Sequence, residues 1–314
     1  MFPLEYAVVR LVPDALRTVT RIMRMLLTLV LPFSLLVWAP SALGATITEL
    51  VQQAMGGDHR APANVVRDQY RHPAQTLRFL GLKPEMTVVE IWPSEGWYTE
   101  ILAPATRPRG IFYAAGFAMT AERTPGWRRE VHTGFTEKLE RRPDVYDHVV
   151  VTELSVPERT TIAPAGHGRH RAHLSQCPQL DAGRLCPGDV PGVLPYAKTR
   201  RNLGRGRASR PRPGASIKAM KESGYVTERH VIGLAEQAGF VLEAKSEINA
   251  NPKDTKDHPA GVWTLPPTLL HCEEMDAGPD RKRCLNKYGA IGESDRMTLR
   301  FRKSVDTPTA RAVR

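Results

Sequence analysis

Two stretches of this chain hold residue types that do chemistry. The first is "EIWPSEGWYTEIL", residues 90–102. An acidic residue, a tight turn with small residues and then a helix start form the layout that brings backbone N–H groups close to a nucleoside cofactor. Gly96 fills one of the three glycine positions this layout favours, and Trp92 and Ser94 fill the other two. The second stretch is "HGRHRAHLSQC", residues 167–177, in which His167, His170, His173 and Cys177 carry donors that suit zinc. Histidines spaced by three converge only on a helix, and the interleaved glycine and arginines do not favour one. No metal site is therefore expected there.

The elements that must position the first stretch follow from periodicity. "TITELVQQAM" (46–55) has helical spacing, and "HPAQTLRFLG" (72–81) starts with Pro73 in its first turn and stops at Gly81. "MTVVEIW" (86–92) is a short run rich in β-branched residues and predicts a buried strand. A helix over 96–104 ended by Pro104, a strand over 110–115, a helix over 127–142 and a strand over 145–154 follow. Near the C-terminus Thr227 caps a helix that stops at Gly239, 240–248 reads as a strand, and 296–303 alternates like a final one. Strands alternating with helices predict an α/β domain with a largely parallel sheet, whose chemistry lies at the carboxyl ends of its strands. Between the last two strands runs a long polar loop, "NANPKDTKDHPAGVWTLPPTL" (249–269), of the kind that closes over ligands. His258 and Trp263 are its substrate-side candidates.

A wider string is more specific. "YRHPAQTLRFLGLKPEMTVVEIWPSEGWYTEILAP" resembles the start of a family of exported bacterial proteins of the class I S-adenosylmethionine-dependent methyltransferase type. "SEINANPKDTKDHPAGVWTLPPTL" and "AIGESDRMTLRF" are similar to its C-terminal part. The resemblance spans roughly 60–160 and 214–303. It implies a Rossmann-like sheet of seven strands with the last antiparallel, and S-adenosyl-L-methionine as cofactor. By the same resemblance Glu90, Ser94 and Gly96 border the methionine end of the cofactor, and Glu153 lies near its adenine. The family tends to read "WPGGGWYTE" where this chain has Ser94 and Glu95, and side chains at those positions would weaken binding. The second strand ends "YAAGF", without a carboxylate to hold ribose hydroxyls. No catalytic residue is assigned, because methyl transfer largely needs in-line positioning of the acceptor.

Residues 166–213 break every pattern around them. Nine Arg and one Lys against Asp181 and Asp189 give this stretch +8 of the chain's +11. A nucleic-acid grip would use "KTRRNLGRGRASRPR" (198–212), but Tyr196 is the stretch's one aromatic and leaves little to stack bases on. No nucleic-acid partner is expected. A shifted reading frame accounts for more. Read one base later, "HLSQCPQLD" admits "TFRNVHNW", "DVPGVLPY" admits "MFRAFYR", and "AKTRRNLGRGRASR" admits "LKPGGILGVVEHR". These are similar to the family's fourth strand, a helix, and the turn and fifth strand. The chain as written is therefore expected to lack central strands four and five, to be irregular over 166–213, and to be inactive.

The N-terminus reads as a targeting segment. Arg17, Arg21 and Arg24 precede the apolar run "MLLTLVLPFSLLVW" (25–38), and Ala42 and Gly44 precede a cleavage point before Ala45. Residues 1–44 are thus a signal peptide with an over-long leader, the natural start being Met23 or Met25, and 45–314 form the methyltransferase-like domain. The protein is expected to be exported to the periplasm, meeting membrane only through that segment; the alternative is an uncleaved anchor. Cys272 and Cys284 would close a short disulfide loop in that compartment, or stand as two thiols. The expected function is methyl transfer to an unassigned acceptor. The alternative is an extracytoplasmic protein that binds a small ligand on the same fold without catalysis.

Overall fold

The first helix, Ile47–Met55 (α1), begins at a capping box in which Thr46 and Glu49 satisfy each other's backbone N–H groups. The structure is a computed structural model that describes residues 44–119, 124–155, 159–164, 171–175, 202–209 and 216–303, with the backbone alone for 171–175 and 202–209. The elements below belong to one compact unit, Thr46–Arg314.

Two short helices, Pro62–Val65 (α2) and Asp68–Arg71 (α3), lead into Pro73–Leu80 (α4), which stops at Gly81 in the left-handed conformation. Strand β1, Thr87–Ile91, is buried along its whole length, as its β-branched run requires. It feeds helix α5, Thr99–Thr106, and strand β2, Ile111–Phe117. Helix α6, Gly126–Arg141, a single turn Pro143–Tyr146 (α7) and strand β3, Val149–Leu154, complete the first half. The second half holds β4, Arg171–Ser175; β5, Asn202–Ser209; α8, Ile217–Ser223; α9, Glu228–Gln237; and β6, Phe240–Ser246. Two helices, Leu270–Glu273 (α10) and Pro279–Gly289 (α11), precede the last strand, β7, Arg296–Lys303.

The seven strands form one sheet in the order β3-β2-β1-β4-β5-β7-β6. All neighbours are parallel except β7, which runs antiparallel between β5 and β6. This is the Rossmann-like class I methyltransferase fold. Helices α1, α4 and α5 pack on one face of β1 and β2 through Leu50, Val51, Leu77, Ile101 and Phe112. A second core joins α9 to β6 and β7 through Val231, Ala235, Phe240, Leu299 and Phe301.

Three expectations are corrected. Strands four and five are not missing: β4 pairs with β1 from Thr87↔Arg171 to Ile91↔Ser175, and β5 pairs with β4 and β7. A ladder is built from backbone groups, so an extended, proline-free run meets its requirements whatever its side chains. "RAHLS" and "NLGRGRAS" are such runs inside a proline-scattered stretch. The rest of 166–213, including His167, His170 and Cys177, lies outside the described residues, as do residues 1–43, which hold nearly all of the expected signal peptide 1–44; His173 lies on β4. Second, Pro104 does not end its helix. It sits inside α5, and the Glu100 carbonyl that a residue 104 N–H would have met accepts from His59 Nε2 at 2.7 Å instead. Third, Val145 and Tyr146 are not strand residues but a buried helical turn started by Pro143.

Candidate functional site

The loop that joins β1 to α5 has an unusual backbone. Trp92, Ser94 and Gly96 have φ of 52°, 53° and 81°. These are the three positions the nucleoside-loop layout reserves for glycine. Two carry side chains in the left-handed region, at a cost of about 1 kcal/mol each. The loop keeps the required conformation in spite of its sequence. Trp92 N–H extends the β1–β2 ladder to Ala115 O at 2.8 Å, and Gly96 N–H closes the turn on Pro93 O at 2.9 Å. A Cβ at position 96 would lie 3.1 Å from the Phe135 ring, so glycine is required there for packing as well as for φ. Ser94 is half-buried, while Glu95 is exposed and leaves the loop interior clear.

Glu90 is fully buried near the end of β1, and Thr99 in the first turn of α5 donates to its Oε2 at 2.5 Å. The structure therefore brings Glu90, Ser94 and Gly96 into one loop. Glu153 stands at the same carboxyl edge, two strands away on β3, where Gly116 pairs with it. It accepts from Met119 N–H at 3.3 Å and forms an ion pair with Arg159.

The end of β2 carries an aromatic group instead of a carboxylate. Phe117 stacks on Trp92 with centroids 5.5 Å apart and meets Trp127 edge-on at 5.5 Å. The Arg128 guanidinium lies over both rings of that second pair, 4.8 and 5.1 Å from the centroids. Trp92 Nε1 is buried without an acceptor among the described residues. A flat aromatic wall with one unmet donor, beside a glycine-like loop and a buried carboxylate, suits a nucleoside with an amino-acid tail. Phe117, Trp127 and Arg128 were not read from the sequence; Trp92 at a glycine position was their one signal.

Because β7 is antiparallel, it starts at the edge where β1–β6 end, and residues 247–295 lie over that edge. Asp254 organises them. Its Oδ1 accepts from Tyr225 Oη at 2.8 Å and Lys256 N–H at 3.0 Å and meets His258 Nε2 at 2.9 Å; its Oδ2 accepts from Asp295 N–H at 2.7 Å. Burial and the adjacent Asp254 push the Tyr225 phenol far above its ordinary range. His258 packs edge-on against Tyr288, 5.7 Å between ring centroids. Trp263 is half-buried, and a Cβ at Gly224 would lie 3.0 Å from its ring. His258 and Trp263 thus both belong to this cover, the first packed on Asp254 and Tyr288 and the second against Gly224. Cys272 and Cys284 are paired, Cα atoms 5.6 Å apart, and tie α10 to α11.

A second polar cluster links the cover to the loop. Glu293 accepts from Arg67 Nε at 2.5 Å, Arg71 Nε at 2.8 Å and Arg296 Nη2 at 2.8 Å. Tyr98, two residues after Gly96, is buried with Arg296, Glu90 and Glu293 around it; burial holds its phenol well above the usual range, Arg296 opposing. Sequence reading missed this cluster entirely.

No family model matches the chain, and no curated protein matches it. Among solved structures it is similar to a SAM-dependent methyltransferase from Aquifex aeolicus, at 18% identity over 60% of this chain and 88% of that one, with a TM-score of 0.44. It is also similar to a cyclopropane-fatty-acyl-phospholipid synthase-like protein from Lactobacillus casei, at 14% identity over 80% and 97% of the two chains, TM-score 0.44. A third is the geranyl diphosphate C-methyltransferase from Streptomyces coelicolor, at 12% identity over 81% and 88%, TM-score 0.40. The strand order, not these distant likenesses, gives the chain its class I methyltransferase fold.

Proposed function

We propose that the protein is an S-adenosylmethionine-dependent methyltransferase whose cofactor lies along the β1–α5 loop and whose acceptor enters beneath residues 247–295. One observation carries this reading: Trp92, Ser94 and Gly96 all adopt the left-handed backbone at the carboxyl end of β1, although only one is glycine. Strain of this kind persists where surrounding structure and function require the shape. When bound, the cofactor supplies an electrophilic methyl group. The chain's own residues bind and orient. Glu90 offers a buried carboxylate to the amino-acid tail, Trp92 and Phe117 a flat apolar surface to the nucleoside, and Trp92 Nε1 a donor. Glu153, committed to Arg159 and Met119, acts from the rim. Residues 247–295 exclude water and hold the acceptor in line, so no dedicated base is required.

Calorimetry with S-adenosylmethionine and its demethylated product tests this. Saturable binding of both is the expected result. Binding of neither would abandon the enzyme for the small-ligand-binding reading.

The export signal at 1–44, periplasmic residence and the reading-frame shift over 166–213 belong to the same proposal. Export rests on the basic, apolar and small-residue order of the N-terminus. For the shift, the support is positional: in the alternative frame the residues of β5, Asn202–Ser209, read "ILGVVEHR". The backbone ladder accepts either run, but a strand in the middle of an α/β sheet favours that apolar one over two arginines and two glycines. Peptide masses of the expressed protein decide it. Tryptic peptides of the alternative frame between 166 and 213 are expected; peptides of the written frame refute the shift.

A further inference from the structure

Arg71 ends helix α3, and its guanidinium is almost wholly buried, with the side chain 3% exposed. Its Nε donates to Glu293. Its Nη1 and Nη2, both buried, have no hydrogen-bond partner among the described residues. Beside it, Arg296 Nε is buried and equally without an acceptor, and burial pulls the Arg296 guanidinium down from its ordinary range. Glu293 is hydrogen-bonded to three arginines, Arg67, Arg71 and Arg296, which leaves these four residues two positive charges in excess. The Arg71 guanidinium also lies 4.6 Å over the Trp97 ring. A cation–π contact does not replace the hydrogen bonds of two buried charged donors.

We infer that Arg71, flanked by Arg67 and Arg296, is the binding site for a carboxylate of a bound small molecule. With Nε held by Glu293, the free end of the guanidinium presents two parallel N–H donors, the fork that matches the two oxygens of a carboxylate. A phosphate dianion would call for more donors than this one fork supplies. The position suits a ligand carboxylate. Trp97 directly follows Gly96, and its ring carries the Arg71 guanidinium. The cluster therefore lies beside the β1 loop. The carboxylate has two possible sources on this edge: the methionine tail of the cofactor, or the methyl acceptor. The first source rests on the methyltransferase reading above; the second does not.

The test is calorimetry on the whole protein with S-adenosylmethionine and its decarboxylated form, for the natural chain and for Arg71→Met and Arg71→Lys. Thermal melts in acetate and in inorganic phosphate complete it. If the cofactor is the source, the natural protein prefers the carboxylated form by roughly 10- to 100-fold. Arg71→Met abolishes that preference, leaving affinity for the decarboxylated form unchanged, which also shows that the variant is folded. If the acceptor is the source, both forms bind alike, and acetate raises the melting midpoint of the natural protein but not of Arg71→Met. Arg71→Lys, which keeps the charge and loses the fork, falls between. Equal binding of both forms without an acetate effect overturns the inference. So does a preference that survives Arg71→Met, or stabilisation by phosphate alone. Should neither form bind, the methyltransferase reading fails by itself, and the acetate melts still decide the arginine site.

Discussion

His59 Nε2 and the carbonyl of Glu100 are 2.7 Å apart, and that carbonyl is the one Pro104 leaves without its helical partner. A carbonyl acceptor fixes the His59 tautomer as Nε2–H. The bond explains how a proline is carried inside α5 without breaking it. His59→Ala should destabilise the domain by about 1–3 kcal/mol, the cost of a buried unsatisfied group. Pro104→Ala in the same chain should recover most of that loss, since residue 104 then supplies its own N–H. A double-mutant cycle in urea measures the coupling, and strictly additive losses would contradict this account.

The strain at Ser94 predicts an unusual gain. With φ at 53°, Ser94→Gly should raise stability by up to about 1 kcal/mol, less the entropy that glycine adds to the unfolded chain. It should also tighten any nucleoside ligand by removing the side chain from the loop. Ser94→Val should do the reverse on both counts. Melting midpoints and ligand titrations of the pair check this together.

Reduction of the Cys272–Cys284 bond should lower stability by about 3 kcal/mol, the loop-closure value for a loop of this length. The loss should be local. Residues 270–289 should gain hydrogen exchange under reductant while β1 and β2 stay protected. Uniform loss of protection across both regions would mean that the cover and the sheet unfold as one unit.

Two buried phenols predict alkaline sensitivity. Tyr98 and Tyr225 are held protonated well above the ordinary tyrosine value, mainly by burial. The folded state then binds these protons more tightly than the unfolded chain does. Their stabilising contribution is whole below about pH 10 and falls as pH rises beyond it, by about 1.4 kcal/mol per pH unit for each phenol. Tyr225→Phe should flatten that alkaline slope while losing the hydrogen bond to Asp254 at every pH. Urea midpoints on either side of the phenol range, with ultraviolet difference absorbance to follow ionisation, decide it.

Local signals were legible in the sequence where one short segment carried the whole cause. Thr46 with Glu49, Pro73 with Gly81, and Thr227 each set a helix boundary by contacts within a few residues. The buried run Thr87–Ile91 announced β1, and the glycine positions after it pointed to the loop whose backbone is left-handed at 92, 94 and 96. Glu293 did not announce itself, because its partners Arg67 and Arg71 lie more than two hundred residues away and share no period with it. Pro104 misled for the same reason: the compensation comes from His59. Strands β4 and β5 were hidden because side chains, not backbone, drive the reading of a strand.

The Glu293 cluster also sets an order of events during synthesis. Arg67 and Arg71 precede the first strand, yet their buried counter-charge is encoded beside the last one. Until the ribosome has delivered residue 293, the helices that carry these arginines have nothing to neutralise them in a dry interior. Closure of the domain around these arginines therefore waits for the segment that leads into β7.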